Sequence, residues 1–310
     1  MKEHTMDEMK VCGALIKRNV TMFFKDKGTF FTSLATPMIL LLLYTTFLSN
    51  VYEDSFRSVL SAMQIVAVKD SQINGLVGGL LLSSLLAVSA VTVPFCANLF
   101  MVQDRVTGAR ADLSIAPIKS SSLALGYYLA TVLNGLIICF VAIALGLIYL
   151  AVIGWYLSIA DILLLMLDVV ILVLFGTALS SLVCYPLNSQ GAMSAVGSIV
   201  SSCYGFLCGA YMPISSFSKG LQNALAFFPG TYGTSLVRNH ALSGVLEAMG
   251  KDGVPTEAVE ALQKVADCKL SFFDMDVDRW VMYLILVGAV VLLVAAYVFI
   301  MVRAERKKTK

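Results

Sequence analysis

Six long stretches of this 310-residue chain are apolar and contain neither Lys nor Arg: Phe30–Leu48, Gly75–Met101, Ser122–Ile153, Ile162–Cys184, Gly191–Met212 and Trp280–Val302. An α-helix rises about 1.5 Å per residue, so about 20 such residues cross the roughly 30 Å hydrocarbon layer of a bilayer. Each stretch therefore predicts a membrane-spanning helix, the third long enough to tilt or to run on past Trp155 and Tyr156. Composition agrees. Hydrophobic residues make up 58% and charged residues 14%, against about 25% charged in soluble domains. Mean hydropathy is +0.84, more apolar surface than one aqueous core can bury. A soluble enzyme, a secreted disulfide scaffold and a nucleic-acid binder are excluded. The seven cysteines are scattered with no C-x-x-C, and the only histidines are His4 and His240, so neither a disulfide framework nor a histidine metal centre is expected.

Six spans put both termini on one side, and the basic residues say which. Six Lys and Arg lie in residues 1–29, three in 102–121 and five after the last span, so fourteen gather on one face and eight on the other. The richer face is the cytoplasmic one, and the long 213–279 segment, which holds six of the eight, weighs little in that rule. The N-terminal stretch places Cys12, Ile16, Val20 and Phe23 on one helical stripe with Lys17 and Arg18 pointing away, an amphipathic helix lying on the inner membrane surface. On the outer side, residues 213–240 are apolar but broken by Pro213 and Pro229, and read as short re-entrant or interfacial helices. Residues 241–279 form a small extracellular insertion, with Pro255 opening a short helix that carries Val259, Leu262 and Val265 on one side. The expected fold is thus one all-α integral membrane domain over residues 1–310.

No phosphate loop, H-E-x-x-H, G-x-S-x-G or dinucleotide fingerprint is present, so energy from nucleotide must come from another chain. Small residues repeat every four positions in the fifth stretch (Gly197, Ser201, Gly205, Gly209), and the second carries Gly75 and Gly79. Such spacing lets helix backbones approach closely in lipid, either as plain packing or as the face of a movable pathway. Pro94 should kink the second span. Asp168 lies in the middle of the fourth with no cation in any span to neutralise it, so it must face protein or water; a hydrogen-bonded structural role and a proton-binding role both fit.

Two loop segments carry a family resemblance. After the second span the chain reads Asp104-Arg105-Val106-Thr107-Gly108, then Leu113, then Ala116-Pro117-Ile118. At the end of the fifth come Gly209-Ala210-Tyr211-Met212-Pro213-Ile214, Leu221-Gln222, Pro229, Tyr232 and Arg238. The first is similar to the acidic-Arg-x-x-Gly, Leu, small-Pro-aliphatic pattern of permeases from type-2 ATP-binding-cassette (ABC-2) exporters. The second resembles their Gly-x-x-x-Pro-Ile, Leu-Gln, Pro and Arg signature. Ser218 stands where many members have a second Pro, and Ala116 replaces a common Ser or Thr.

The resemblance implies a permease subunit working with two cytosolic ABC ATPase subunits and a second permease, identical or paralogous. ATP and Mg would sit on the ATPase, with no cofactor on this chain. Asp104, Arg105, Gly108, Leu113 and Pro117 would form the ATPase-coupling loop. The small-residue faces of spans two and five, with Pro94, would enclose the pathway, and Pro213, Pro229 and Arg238 would shape the outer gate. Efflux of a drug, antimicrobial peptide or other amphipathic small molecule is the first expectation and export of a lipid-linked glycan the second. A proton-coupled carrier built on Asp168 is the alternative from another class.

Overall fold

The computed structural model describes residues 2–65, 68–109, 120–273 and 275–308. They form eleven helices and one hairpin: α1 (Lys2–Lys25), α2 (Lys27–Leu43), a π-helical turn (Tyr44–Leu48), α3 (Ser49–Ala62), α4 (Asp70–Val106), α5 (Ser120–Ile153), α6 (Ile159–Cys184), α7 (Gln190–Leu207), a 3-10 turn (Ile214–Ser216), α8 (Lys219–Leu225), α9 (Pro229–Lys251), α10 (Thr256–Val265), β1 (Leu270–Phe272), β2 (Met275–Val277) and α11 (Arg279–Lys308). The chain is an all-α integral membrane protein. Among the described residues five helices are long and apolar enough to cross a bilayer: the continuous Lys27–Ala62 segment, α4, α5, α6 and α11. The expected fifth span, 191–212, is a shorter helix that stops at Leu207. The Gly and Ser content that suits it to close packing also keeps it out of the strongly apolar set.

Helix α4 is the axis of the bundle. Of its most apolar window 94% is buried inside the protein, against 17% for the corresponding windows of α5 and α11, whose outward faces are left to lipid. It packs against α2, α5, α6, α7 and α9. The reason is its run of small residues. A Cβ at Gly79 would lie 2.8 Å from the Ala241 carbonyl oxygen of α9, and one at Gly75 would lie 3.0 Å from the Tyr156 ring. Further along, Pro94 cannot donate to the Ala90 carbonyl. Gly176 of α6 presses its Cα against that carbonyl, where a Cβ would collide.

Two readings of the far end are corrected. Residues 229–251 are not a set of short broken helices but one 23-residue helix, α9. Pro229 occupies its first turn, where a missing N–H costs nothing, so it starts the helix instead of interrupting it. Almost every side chain of α9 from Gly230 to Leu246 is buried, since the helix lies between α4, α6 and α11. The 241–279 segment likewise joins the body: Val254, Ala258 and Leu262 pack with Tyr52, Phe56 and Leu60 of α3 and Ile73 and Leu76 of α4 in a second core. Helix α10 forms where Pro255 predicted it.

Candidate functional site

At the end of the bundle that holds α1, two consecutive residues of α4 reach in opposite directions. Asp104 is buried and takes a bidentate pair from the Arg18 guanidinium of α1, at 2.7 and 2.9 Å, plus the Tyr127 hydroxyl of α5 at 2.5 Å. This corrects the orientation of Arg18: it turns inward. The buried stripe of α1 is Leu15, Asn19 and Phe23, one position from the expected Ile16 and Val20, because α1 rests on α5 as well as on lipid. Gly126 permits that contact, since a Cβ there would stand 3.0 Å from Leu15 Cβ. Donating hydrogen bonds to Asp104 raises the Arg18 pKa above its ordinary value.

Arg105 reaches the other way. Its Nη1 donates to the carbonyl of Tyr185, to that of Leu187 at 2.9 Å and to Asn188 Oδ1 at 3.1 Å, and the guanidinium sits 5.3 Å from the centre of the Tyr185 ring. It thereby clamps the α6–α7 turn. Helix α4 then ends at Gly108, whose φ of +85° is the left-handed conformation that closes many helices. Nothing surrounds a Cβ at Gly108, so the glycine serves the backbone angle and not a contact. Leu113 and Pro117 lie outside the described residues.

Between the α2–α3 segment and α7 lies a cleft of about 1360 Å³. Hydroxyls line it on both sides, among them Thr36, Tyr52 and Ser55 on the α2–α3 side and Ser198 and Ser201 on α7, which also contributes Gly197. Among the described residues none of those lining it is charged. Helix α4 contributes only Cys96 and Leu99 to it. Gly75 and Gly79 face α9 and Tyr156 instead, and Pro94 lies against the Gly135 side of α5, so these three pack the bundle interior away from the cleft. Of the four-residue repeat on α7, Gly197 and Ser201 reach the cleft, while Gly205 meets the Tyr211 ring.

Gly209 belongs to a separate arrangement at the far end. Arg238 of α9 is fully buried. Its Nη2 donates to the Gly209 carbonyl at 2.6 Å and to Ser84 Oγ of α4 at 3.3 Å, and its Nη1 to Asp267 at 3.1 Å. Asp267 also accepts the N–H groups of Ile214 at 2.5 Å and Ser215 at 3.2 Å, fixing the turn after Pro213. Burial pushes the Asp267 carboxyl up, opposed by Arg238 and those two N–H groups. One side chain thus ties α4, the end of α7, the Pro213 turn and the far-end insertion together.

Deep in the bundle Asp168 accepts from Tyr283 of α11 and lies 2.5 Å from His240 Nδ1 of α9. A second polar knot joins Asn98 of α4 to Ser180 and Ser181 of α6 at 2.7 and 2.9 Å, with Thr131 of α5 donating to it at 3.2 Å.

The sequence model of a family described as ABC-2 family transporter protein matches residues 60–297, more than three-quarters of the chain. This chain belongs to the ABC-2 transporter family. No curated protein matches it. An ABC-2 permease is a multi-pass membrane component that associates with an ABC ATPase subunit, where the ATPase activity resides, and that dimerises.

Within this ABC-2 permease, reading the sequence alone missed the partners of its own motifs. Arg18, Tyr127, His240, Tyr283 and Asp267 are each far along the chain from the residue they bind. His240 carried a signal, being the second of only two histidines and lying in a segment of low charge. Asn98 and Thr131 carried one as well, as polar groups inside predicted spans.

Proposed function

We propose that this chain is the transmembrane permease subunit of an ATP-driven exporter in a cell membrane, with six spans counting the short α7, and with both termini cytoplasmic. Two ABC ATPase subunits, holding ATP and Mg, would drive it, and a second permease, identical or paralogous, would complete the pathway. The observation that carries this reading is the pair of clamps on Asp104 and Arg105. They bracket the start of the coupling loop and join it rigidly to α1, α5 and the α6–α7 turn, so a push from an ATPase at that loop moves four elements together. ATP bound by the ATPases would then favour whichever of two states of the assembled transporter holds it more tightly.

The cleft between α2–α3 and α7 supports an amphipathic cargo. Its walls are apolar with scattered hydroxyls and, among the described residues, carry no charge, which suits a drug-like molecule or the apolar face of a peptide. Phe47, Tyr52, Phe206 and Tyr211 give it aromatic surface that a glycan could stack on, the second reading.

The test is reconstitution of the chain with the ATPase that co-purifies with it. Arg18→Glu should leave membrane insertion intact and abolish cargo-stimulated ATP hydrolysis, and adding Asp104→Arg should restore part of it. Transport that ignores ATP, follows a pH gradient and is lost in Asp168→Asn would overturn the proposal in favour of a proton-coupled carrier.

A further inference from the structure

The hairpin β1–β2 has two unlike faces. Its register pairs Leu270 with Val277 and Phe272 with Met275 on one side, and Ser271 with Asp276 on the other. Leu270 and Val277 pack into the main core. The remainder of the apolar side projects outward together with Phe227, from the turn before α9. The Phe227 and Phe272 rings are 5.2 Å apart and Phe272 and Phe273 4.8 Å, yet Phe227 is 67% exposed, Phe273 52% and Met275 66%. Phe273 is held at φ +49°, a conformation that aromatic residues rarely adopt.

Helix registers give the depth of this patch. Asp168 lies nine residues into α6 and its partner Tyr283 four residues into α11, so at about 1.5 Å per residue α11 begins some 7 Å deeper than α6. A second register agrees: Gly233 of α9 lies against Leu172, thirteen residues into α6, and Leu286, seven into α11, giving about 9 Å. The α6 end is marked as the membrane surface by its Ser158–Asp161 capping box and by exposed Trp155 just before it. The hairpin, leading into α11, therefore lies at the depth where headgroups meet acyl chains. It can go no deeper, because the open edges of a two-stranded sheet need water or headgroups to satisfy them.

We propose that the patch of Phe227, Phe272, Phe273 and Met275 is a lipid-binding surface, seated in the leaflet at the far end of the bundle among zwitterionic phospholipids. It is continuous with the exposed face of α11 at Trp280, Leu284, Val287 and Val291, which carries only large apolar side chains of the kind lipid covers. The exposed side of α7, by contrast, mixes small residues (Gly191, Ser194, Ser198, Ser202 and Cys203) with Ile199, Phe206 and Leu207. Among the described residues beside the hairpin, Asp276 and Asp278 balance Lys269 and Arg279, so nothing there selects anionic headgroups. The proposal rests on α6 and α11 crossing the bilayer, and on neither the cargo nor the ATPase. Its consequence is mechanical: Ser235 and Asn239 of α9 bond the carbonyl of Cys268 at 3.2 and 2.7 Å, two residues before β1, so lipid that holds the hairpin also holds the helix carrying Arg238.

The full-length chain with Trp155→Phe and Trp280→Phe has no tryptophan of its own. Phe273→Trp is introduced in that background and reconstituted in phosphatidylcholine vesicles containing brominated lipid. Bromine at acyl carbons 6 and 7 should remove half or more of the emission, bromine at carbons 11 and 12 clearly less, and aqueous acrylamide little. Val291→Trp, midway along α11, should show the reverse preference between the two bromolipids and so reports the span itself. Quenching at 291 with none by lipid at 273 overturns the proposal: strong acrylamide quenching there would mean a water-exposed hairpin, and protection from both a surface covered by a second copy or another protein. Loss of lipid quenching at both positions would instead overturn the membrane placement of α11 on which the proposal rests.

Discussion

Asp168 and His240, 72 positions apart in the chain, lie 2.5 Å from each other inside the bundle, with 1% and 6% of their surfaces exposed. The acid on α6 and the imidazole on α9 satisfy one another where neither could be tolerated alone. The Tyr283 hydroxyl completes the carboxylate's shell from α11. The cluster thus staples three helices at a depth where water is scarce.

Removing one partner of such a pair should be far worse than removing both. Asp168→Leu leaves His240 without an acceptor, and the loss of a buried partner typically costs about 3–5 kcal/mol. His240→Leu in the same chain should recover much of that loss, since only the Tyr283 hydroxyl is then left without its partner. Thermal unfolding in detergent of the two single variants and the double variant checks this. Strictly additive losses would mean that the two side chains do not interact.

The glycines of this protein should separate into two groups. At Gly176 an added methyl group collides with the Ala90 carbonyl of α4, which backbone cannot yield. Gly176→Ala should therefore destabilise by about 1–3 kcal/mol, the usual range for overpacking. At Gly197 the nearest atom to an added Cβ is a Leu99 methyl at 3.9 Å, an ordinary contact. Gly197→Ala should leave the unfolding temperature unchanged or slightly raised, and any effect it has should appear in transport, because it faces the cleft. A large loss of stability at 197 would contradict the packing described here.

Outside the membrane, Lys69 and Asp252 form an exposed ion pair at 2.7 Å that fastens the start of α4 to the end of α9, with Gln72 donating to the same carboxylate at 2.8 Å. The hydrogen bond that Lys69 donates to Asp252 holds the Asp252 pKa below its ordinary 3.8 and the Lys69 pKa above its ordinary 10.5. A depressed carboxylate contributes above its unfolded pKa and loses that contribution as pH falls through the folded one. A raised lysine contributes below its unfolded pKa and loses that contribution as pH rises through the folded one. The fastening should thus hold between about pH 4 and pH 10 and weaken below and above that range. Hydrogen exchange at residues 70–74 should quicken on acidification below pH 4 in the parent protein, and Asp252→Asn should already show the faster rate at pH 7. Raised salt should shrink the difference, as the pair is open to solvent.

Much of the architecture was legible because lipid imposes a simple pattern. Runs without cations mark helices, and four of the six expected runs lie within α4, α5, α6 and α11. Pro255 also announced its local structure by opening α10, since it acts through its own backbone angle. Pro229 misled for the same reason: proline marks a helix boundary equally well whether a helix breaks there or begins. The small-residue stripes told that backbones approach closely but not which ones: packing and a pathway face both fit Gly75 and Gly79, and the structure sets them against α9 and Tyr156.

By itself, then, the order of residues determined an all-helical membrane protein, the placement of its basic face and the two loop motifs of its family, because hydrophobicity, charge and proline act locally. Only the tertiary structure decided that Arg18 closes on Asp104, that His240 pairs with Asp168, that Arg238 ties α9 to the Pro213 turn, and that α2–α3 rather than α4 forms the wall opposite α7. Those are pairings across 50 or more positions for Arg18, His240 and the cleft, and even Arg238 reaches Asp267 across 29. Partner choice at such separations depends on which helix faces meet, and a buried polar group takes whichever complementary group the packing brings within about 3 Å.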